Sequence, residues 1–125
     1  MTPTRRILLV EDDRFLRRAC EVSLRQRGFV VATAADGEEA LRKVRAEPPD
    51  LVLLDLLMPK MTGIEVLRAM RAEEATRGIR VLILSNSSRE QDAEEIQKLE
   101  VSGYFVKANL SLQALGDQVA RLLED

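Results

Sequence analysis

The run LVLLDLLMPKMTG, residues 51–63, carries an apolar segment into one carboxylate, Asp55, and passes directly into a Met-Pro loop. A carboxylate at the end of a buried segment costs free energy unless something offsets it. Elsewhere the chain offers more carboxylates in VEDD, residues 10–13, a hydroxyl at Ser85 closing the run VLILS, and an ammonium at Lys107 closing YFVK. It has no histidine and a single cysteine, Cys20, which excludes an internal disulfide, a Cys-His pair and a Ser-His-Asp arrangement. Cys20 reads as a small core residue of a helix. Several carboxylates brought together cannot all ionise without a cation. A hard ion such as Mg²⁺, held by carboxylates, a main-chain carbonyl and waters, resolves that conflict without His or Cys ligands. A carboxylate nucleophile, a divalent ion, a hydroxyl donor and an ammonium suit phosphoryl transfer, in which a protein mainly positions groups and neutralises oxygen charge.

The elements that must position these groups follow from periodicity. Short apolar runs at Ile7–Val10, Phe29–Ala32, Leu51–Leu54, Val81–Leu84 and Tyr104–Val106 are bounded by polar or turn residues. Most are rich in Val, Ile and Leu, as parallel strands covered on both faces should be. Between them lie amphipathic segments, several opened by capping patterns: DGEE from Asp36, TGIE from Thr62, and SSRE with SREQ around Ser88. Apolar faces follow at helical spacing, as in Ala40, Leu41 and Val44, or Leu112, Leu115, Val119 and Leu122. Met58, Met61 and Met70 read as packing residues. Five strands alternating with five helices predict an α/β fold, a doubly wound parallel sheet in a flavodoxin-like three-layer sandwich. The strand order 2-1-3-4-5 puts strands 1 and 3 side by side, with their connections leaving toward opposite faces. Three or four carboxylates, those of VEDD, residues 10–13, and Asp55, then meet at the carboxyl edge, where strands 4 and 5 deliver Ser85 and Lys107. Asp13 is either a further member of that acid group or the cap of helix 1.

The length of 125 residues suits one domain, 1–125, with one sizeable core. Nineteen Lys and Arg against 21 Asp and Glu give a net charge of -2, which argues against nucleic acid as a direct partner. No apolar run approaches the length of a membrane span or a signal h-region, so the chain is expected to be cytoplasmic and off the membrane. The six glycines form no dinucleotide-binding or P-loop pattern.

With these residues in order, the chain resembles a receiver domain of the bacterial two-component response regulators, of the chemotaxis-regulator type, over essentially its whole length. The resemblance rests on Glu11-Asp12, Asp55 followed by Met58-Pro59 and Gly63, then Ser85, Tyr104 and Lys107. It implies that Asp55 accepts a phosphoryl group from the phosphohistidine of a sensor histidine kinase or phosphotransfer protein. It implies Mg²⁺ as cofactor, bound by Asp12, Asp55 and the main-chain carbonyl of Leu57, with Glu11 acting through water. Lys107 and Ser85 would contact the acyl phosphate, and Tyr104 would be an aromatic rotamer switch. The domain would signal rather than turn over substrate, apart from self-phosphotransfer and slow aspartyl-phosphate hydrolysis. Output would pass through a surface of helix 4, strand 5 and helix 5 to a protein or domain, from a monomer or a weak phosphorylation-dependent dimer.

Four positions depart from or modulate the pattern. Ala108 follows Lys107 where the family generally has Pro, and Asn86 follows Ser85 where the family favours a very small residue. Leu57, like Ser87 at a position that modulates hydrolysis in the family, has no group to orient an attacking water. A pseudo-receiver, an interaction module with the fold but no phosphorylation, is therefore an alternative reading. An aspartyl-phosphate phosphatase on a similar sheet is a third, disfavoured because such enzymes usually place a second Asp where Leu57 stands. Charge is also asymmetric: helix 1 carries Arg14, Arg17, Arg18, Arg25 and Arg27, whereas helix 4 carries Glu90, Asp92, Glu94, Glu95 and Glu100. In the family the first docks on phosphotransfer helices and the second adjoins the output face, while the plain reading is two solvated helix faces.

Overall fold

The computed structural model describes residues 4–85, 90–107 and 111–124, and for residues 90–93 the backbone alone. Asn86, Ser87, Ala108 and the capping pattern around Ser88 lie outside the described residues. Ten elements alternate without exception: β1 (Arg6–Val10), α1 (Arg14–Gln26), β2 (Val30–Ala34), α2 (Gly37–Ala46), β3 (Leu51–Asp55), α3 (Gly63–Ala72), β4 (Arg80–Ser85), α4 (Glu90–Lys98), β5 (Gly103–Val106) and α5 (Leu112–Leu122). The strands form one parallel sheet in the order β2-β1-β3-β4-β5, as the sequence predicts.

Side chains along each strand alternate between two cores, the period-two consequence of the pleat. Leu8, Val10, Val52, Leu54, Val81 and Ile83 pack with Ala40, Leu41 and Val44 of α2, Val66, Leu67 and Met70 of α3, and Ile96 of α4. Ile7, Leu9, Leu51, Leu53, Leu82 and Leu84 pack on the opposite face with Cys20 and Leu24 of α1 and Leu115 and Val119 of α5. Burying both faces is what makes these strands read as unbroken apolar runs. Cys20 is fully buried, and burial first, then the Glu11 charge, pushes its thiol up to about 11. Met58 and Met61 are half-buried against the first core and Met70 lies within it.

The helix starts follow the capping chemistry. Asp13 is the N-cap of α1, its Oδ1 accepting from the amides of Phe15 at 2.9 Å and Leu16 at 3.1 Å. Thr62 opens α3 with a reciprocal capping box to Glu65. At α2 the pattern is shifted by one: Asp36 accepts from the Glu39 amide at 2.8 Å, but the Glu39 carboxylate reaches past the cap to the Ala35 amide, also at 2.8 Å.

Two boundaries correct the sequence reading. The second strand begins at Val30 and runs to Ala34, because Val10 of β1 pairs with Ala34, while Phe29 is half-buried before it. Leu112 is 37% exposed rather than part of the core face, since as the first residue after the Ser111 cap it precedes the turn where α5 reaches the sheet at Leu115.

Long-range order around β4 and β5 depends on one arginine. Arg71, near the end of α3, donates from Nε to the Leu99 carbonyl at 2.8 Å and from Nη1 to the Arg77 and Ile79 carbonyls, each at 2.8 Å. Its Nη2 reaches the Glu100 carbonyl at 3.2 Å, so a single guanidinium ties α3 to the segments entering β4 and leaving α4.

Candidate functional site

The carboxyl edge of the sheet collects every residue that the sequence singles out for chemistry except Tyr104. β1 ends at Val10 and β3 at Asp55, adjacent in the sheet, so Glu11, Asp12 and Asp55 converge: one carboxylate oxygen from each lies within 4.8 Å of the others. Glu11 is fully buried, Asp55 is 2% exposed and Asp12 faces solvent. Ser85 closes β4, buried, one residue beyond Leu84, the register partner of Asp55. Lys107 follows β5 directly and sends its ammonium between two carboxylates, 2.6 Å from Glu11 Oε1 and 3.1 Å from Asp55 Oδ2.

Local structure explains why the acids point as they do. The Glu11 amide continues the sheet by donating to the Ala34 carbonyl at 3.0 Å, and Glu11 Oε2 accepts from the Asp13 amide at 2.9 Å. On the other side, Gly63 donates its amide to the Leu56 carbonyl at 3.0 Å, folding the loop after β3 back onto the start of α3. No larger residue fits there: a Cβ on Gly63 would stand 2.2 Å from the Asp55 carbonyl oxygen and 2.8 Å from Leu56 Cα. Gly37, at the start of α2, backs equally closely on Met61, with 2.1 Å from a Cβ to its carbonyl oxygen. Lys60, in the left-handed backbone region at φ 69°, pairs with Asp36 at 3.6 Å. The loop bearing Leu56 and Leu57 is thus wedged between the beginnings of α2 and α3.

Electrostatically the site holds three carboxylates against one ammonium. Burial, and after it the charge of Glu11, pushes the Asp55 carboxyl up to about 7, against the pull of Lys107. Lys107 itself is raised above its ordinary value, because contacts with Glu11 and Asp55 outweigh its own burial. An excess of buried negative charge with only oxygen donors fits a hard divalent cation. Glu11, Asp12 and Asp55 together form the group of carboxylates that could hold one. Leu57 leaves its side chain 52% exposed while its amide sits 3.4 Å from Asp55 Oδ1.

Tyr104 lies on β5 opposite Ile83, half-buried against the core shared with α2, α3 and α4. Two contacts escaped the reading of the sequence. Lys107 bridges Glu11 as well as Asp55, a link set by strand order rather than by any local motif. Arg17 donates from Nη1 to the Glu11 carbonyl at 2.8 Å and lies 3.5 Å from that of Asp12. The signal for Arg17 was available: a cation in the opening of a helix, where cations are disfavoured.

Known proteins show the same arrangement of chain. The alkaline phosphatase synthesis transcriptional regulatory protein PhoP of Bacillus subtilis is 34% identical over 97 residues, 78% of this chain and 39% of that protein. The DNA-binding response regulator MtrA of Mycobacterium tuberculosis is 44% identical over 84 residues, 67% of this chain and 36% of that protein. This chain therefore spans less than half the length of these curated relatives. Among solved structures, the chemotaxis response regulator CheY4 of Vibrio cholerae superposes with a TM-score of 0.88 at 29% identity, covering 97% of this chain and all of the other. A putative response regulator from Chloroflexus aurantiacus gives 0.87 at 26% identity, covering 97% and 98%. The family model described as the response regulator receiver domain matches residues 7–119, and with the sheet order and acid cluster above, the chain belongs to the response regulator receiver domain family.

Proposed function

We propose that this receiver domain is switched by phosphorylation of Asp55. The observation that carries the reading is the placement of Asp55: a buried carboxylate at a strand end, 3.1 Å from the Lys107 ammonium and clustered with Asp12 and Glu11. A sensor histidine kinase or phosphotransfer protein is the donor. An Asp55 carboxylate oxygen attacks phosphorus, the P–N bond to the donor imidazole breaks, and the imidazole leaves with the bonding pair and takes up a proton. Asp12, Asp55 and the Leu57 main-chain carbonyl, with Glu11 through water, would hold Mg²⁺, which would supply charge neutralisation for the phosphoryl oxygens. Lys107, already aimed at Asp55, turns from carboxylate to acyl phosphate, and the Ser85 hydroxyl donates to a phosphoryl oxygen. Such charge-assisted hydrogen bonds are stronger than neutral ones. The inward pull on Ser85 makes room for the Tyr104 ring, coupling the site to the surface of α4, β5 and α5, where an output protein or domain binds. Only the differential affinity of that partner for the two packings transmits a signal.

Phe15 and Leu57 leave large apolar side chains 87% and 52% exposed beside the carboxyl edge, available to the donor protein. Several cations of α1 are by contrast engaged at home: Arg25 with Glu21, and Arg27 with Asp117 of α5. The domain acts as a single unit, cytoplasmic, as a monomer or weak phosphorylation-dependent dimer. Among the described residues no helix is long and apolar enough to cross a membrane.

Intact mass after incubation with acetyl phosphate and Mg²⁺ tests the reading. Wild type should gain one phosphoryl group and Asp55→Asn none. An unmodified wild type would favour the pseudo-receiver.

A further inference from the structure

Arg17 stands where helix electrostatics disfavours it. The first turn of α1 holds no acidic residue, and the partial positive charge at a helix N-terminus opposes a nearby cation. The side chain does not extend into solvent. It turns back along the helix so that Nη1 lies 2.8 Å from the Glu11 carbonyl and 3.5 Å from the Asp12 carbonyl. These are the main-chain oxygens of two members of the acid cluster. The other braces of this turn are the Asp13 cap, the Glu11 carboxylate on the Asp13 amide, the Glu11 amide on Ala34, and Lys107, which holds the Glu11 carboxylate from β5. Arg17 alone among these reaches the main-chain carbonyls of Glu11 and Asp12, both from Nη1, and the planar guanidinium holds that donor in a fixed direction.

We propose that Arg17 is the positioning residue of the acidic turn. By gripping the Glu11 and Asp12 carbonyls it fixes the direction in which their carboxylates leave the backbone, and so gives the site a preference for a small, geometrically strict divalent cation over a larger, tolerant one. The inference rests on the cation site described under Proposed function. Mg²⁺ demands near-ideal octahedral geometry, whereas Ca²⁺ accepts irregular and expandable coordination. Rigidity in the ligand-bearing turn therefore favours the first. With the Glu11 and Asp12 carbonyls turned to Arg17, a main-chain ligand has to come from another loop, in keeping with the assignment of the Leu57 carbonyl. Arg17 touches no reacting atom and acts only through the turn.

The test is separate titration of the full chain with Mg²⁺ and Ca²⁺, followed by amide chemical shifts of residues 11–13 and 55–57, for wild type, Arg17→Met and Arg17→Lys. Loss of the grip should weaken Mg²⁺ binding roughly tenfold, the scale on which outer partners of metal ligands act, and Ca²⁺ binding by less than about twofold. Arg17→Lys keeps the charge but replaces a donor fixed in a rigid plane by a rotatable one on a flexible stem, so it should follow Arg17→Met, and as the milder change it keeps the comparison meaningful if Arg17→Met folds poorly. An equal loss for both ions, or no loss for either, would overturn the proposal. So would tighter binding in Arg17→Met with wild-type binding in Arg17→Lys, which would assign the effect to charge. Wild-type shifts unmoved by either ion would instead overturn the cation site itself.

Discussion

The Lys107 ammonium and the Asp55 carboxylate stand 3.1 Å apart at the ends of β5 and β3, two strands that are not neighbours, with β4 between them. Lys107 also reaches Glu11 on the far side of β3, so one side chain that is 12% exposed neutralises across three strand ends. Removing it leaves two buried carboxylates without a counter-charge. Breaking a buried pair from one side costs about 3–5 kcal/mol. Lys107→Met should therefore lose stability on that scale in metal-free solution and regain part of it with Mg²⁺. Denaturant titrations with EDTA and with Mg²⁺ measure both effects, and equal stability of mutant and wild type in EDTA would refute the bridging role.

The acidity of Asp55 makes metal-free stability depend on pH with a definite sign. In the folded protein its carboxyl is pushed up to about 7, from an ordinary value of 3.8. Between these values the folded state holds a proton that the unfolded chain releases, so the group contributes a stability loss that grows as pH rises toward 7 and is complete above it. Asp55→Asn abolishes that loss. The variant should exceed wild type by on the order of 1–3 kcal/mol near pH 8 in EDTA and by nothing near pH 4. Parallel stability curves for the two proteins would contradict the assignment.

The close approach of α3 to the Asp55 carbonyl predicts a sharp contrast between two glycines. Gly63→Ala drives a methyl into main chain that cannot swing aside, and overpacking of this kind costs about 1–3 kcal/mol. It should also shift the amides of residues 55–57. Gly78→Ala places its methyl in open space and should change neither. Thermal melting with amide shift mapping decides, and a Gly63→Ala protein as stable as Gly78→Ala counts against the wedge.

Leu57 brings an exposed apolar side chain beside Asp55 and no group to align water. The acyl phosphate should accordingly be long-lived, and Leu57→Asn should hydrolyse it several-fold faster, since positioned polar groups typically speed such steps by about tenfold or more. Decay of radiolabelled phosphate after donor removal gives the rates. Slower decay in the mutant would reverse the argument.

Features that live within a few residues were readable from the chain. Asp13 capping α1, the Thr62–Glu65 box and the apolar runs of β1, β3 and β4 all follow from local rules of hydrogen bonding and period. The acid cluster was readable one level higher, because strand order converts two strand ends far apart in sequence into neighbours. What stayed hidden were contacts whose partner has no sequence signature. Arg17 and Arg71 both spend their guanidinium donors on main-chain carbonyls, and any residue supplies a carbonyl. The exposure of Leu112 was hidden for a different reason: helical period places a residue on a face but does not say at which turn the helix meets the sheet.

The order in which strands join the sheet has a consequence for the protein during its own synthesis. A chain emerging from the ribosome presents Glu11, Asp12 and Asp55 long before Lys107, and the three strands that carry and flank the acids pair with one another without β4 or β5. Until β4 and β5 are added, these acids have neither the Ser85 hydroxyl nor the Lys107 ammonium beside them. The counter-charge of the acid nest therefore arrives last, when β5 docks and delivers Lys107.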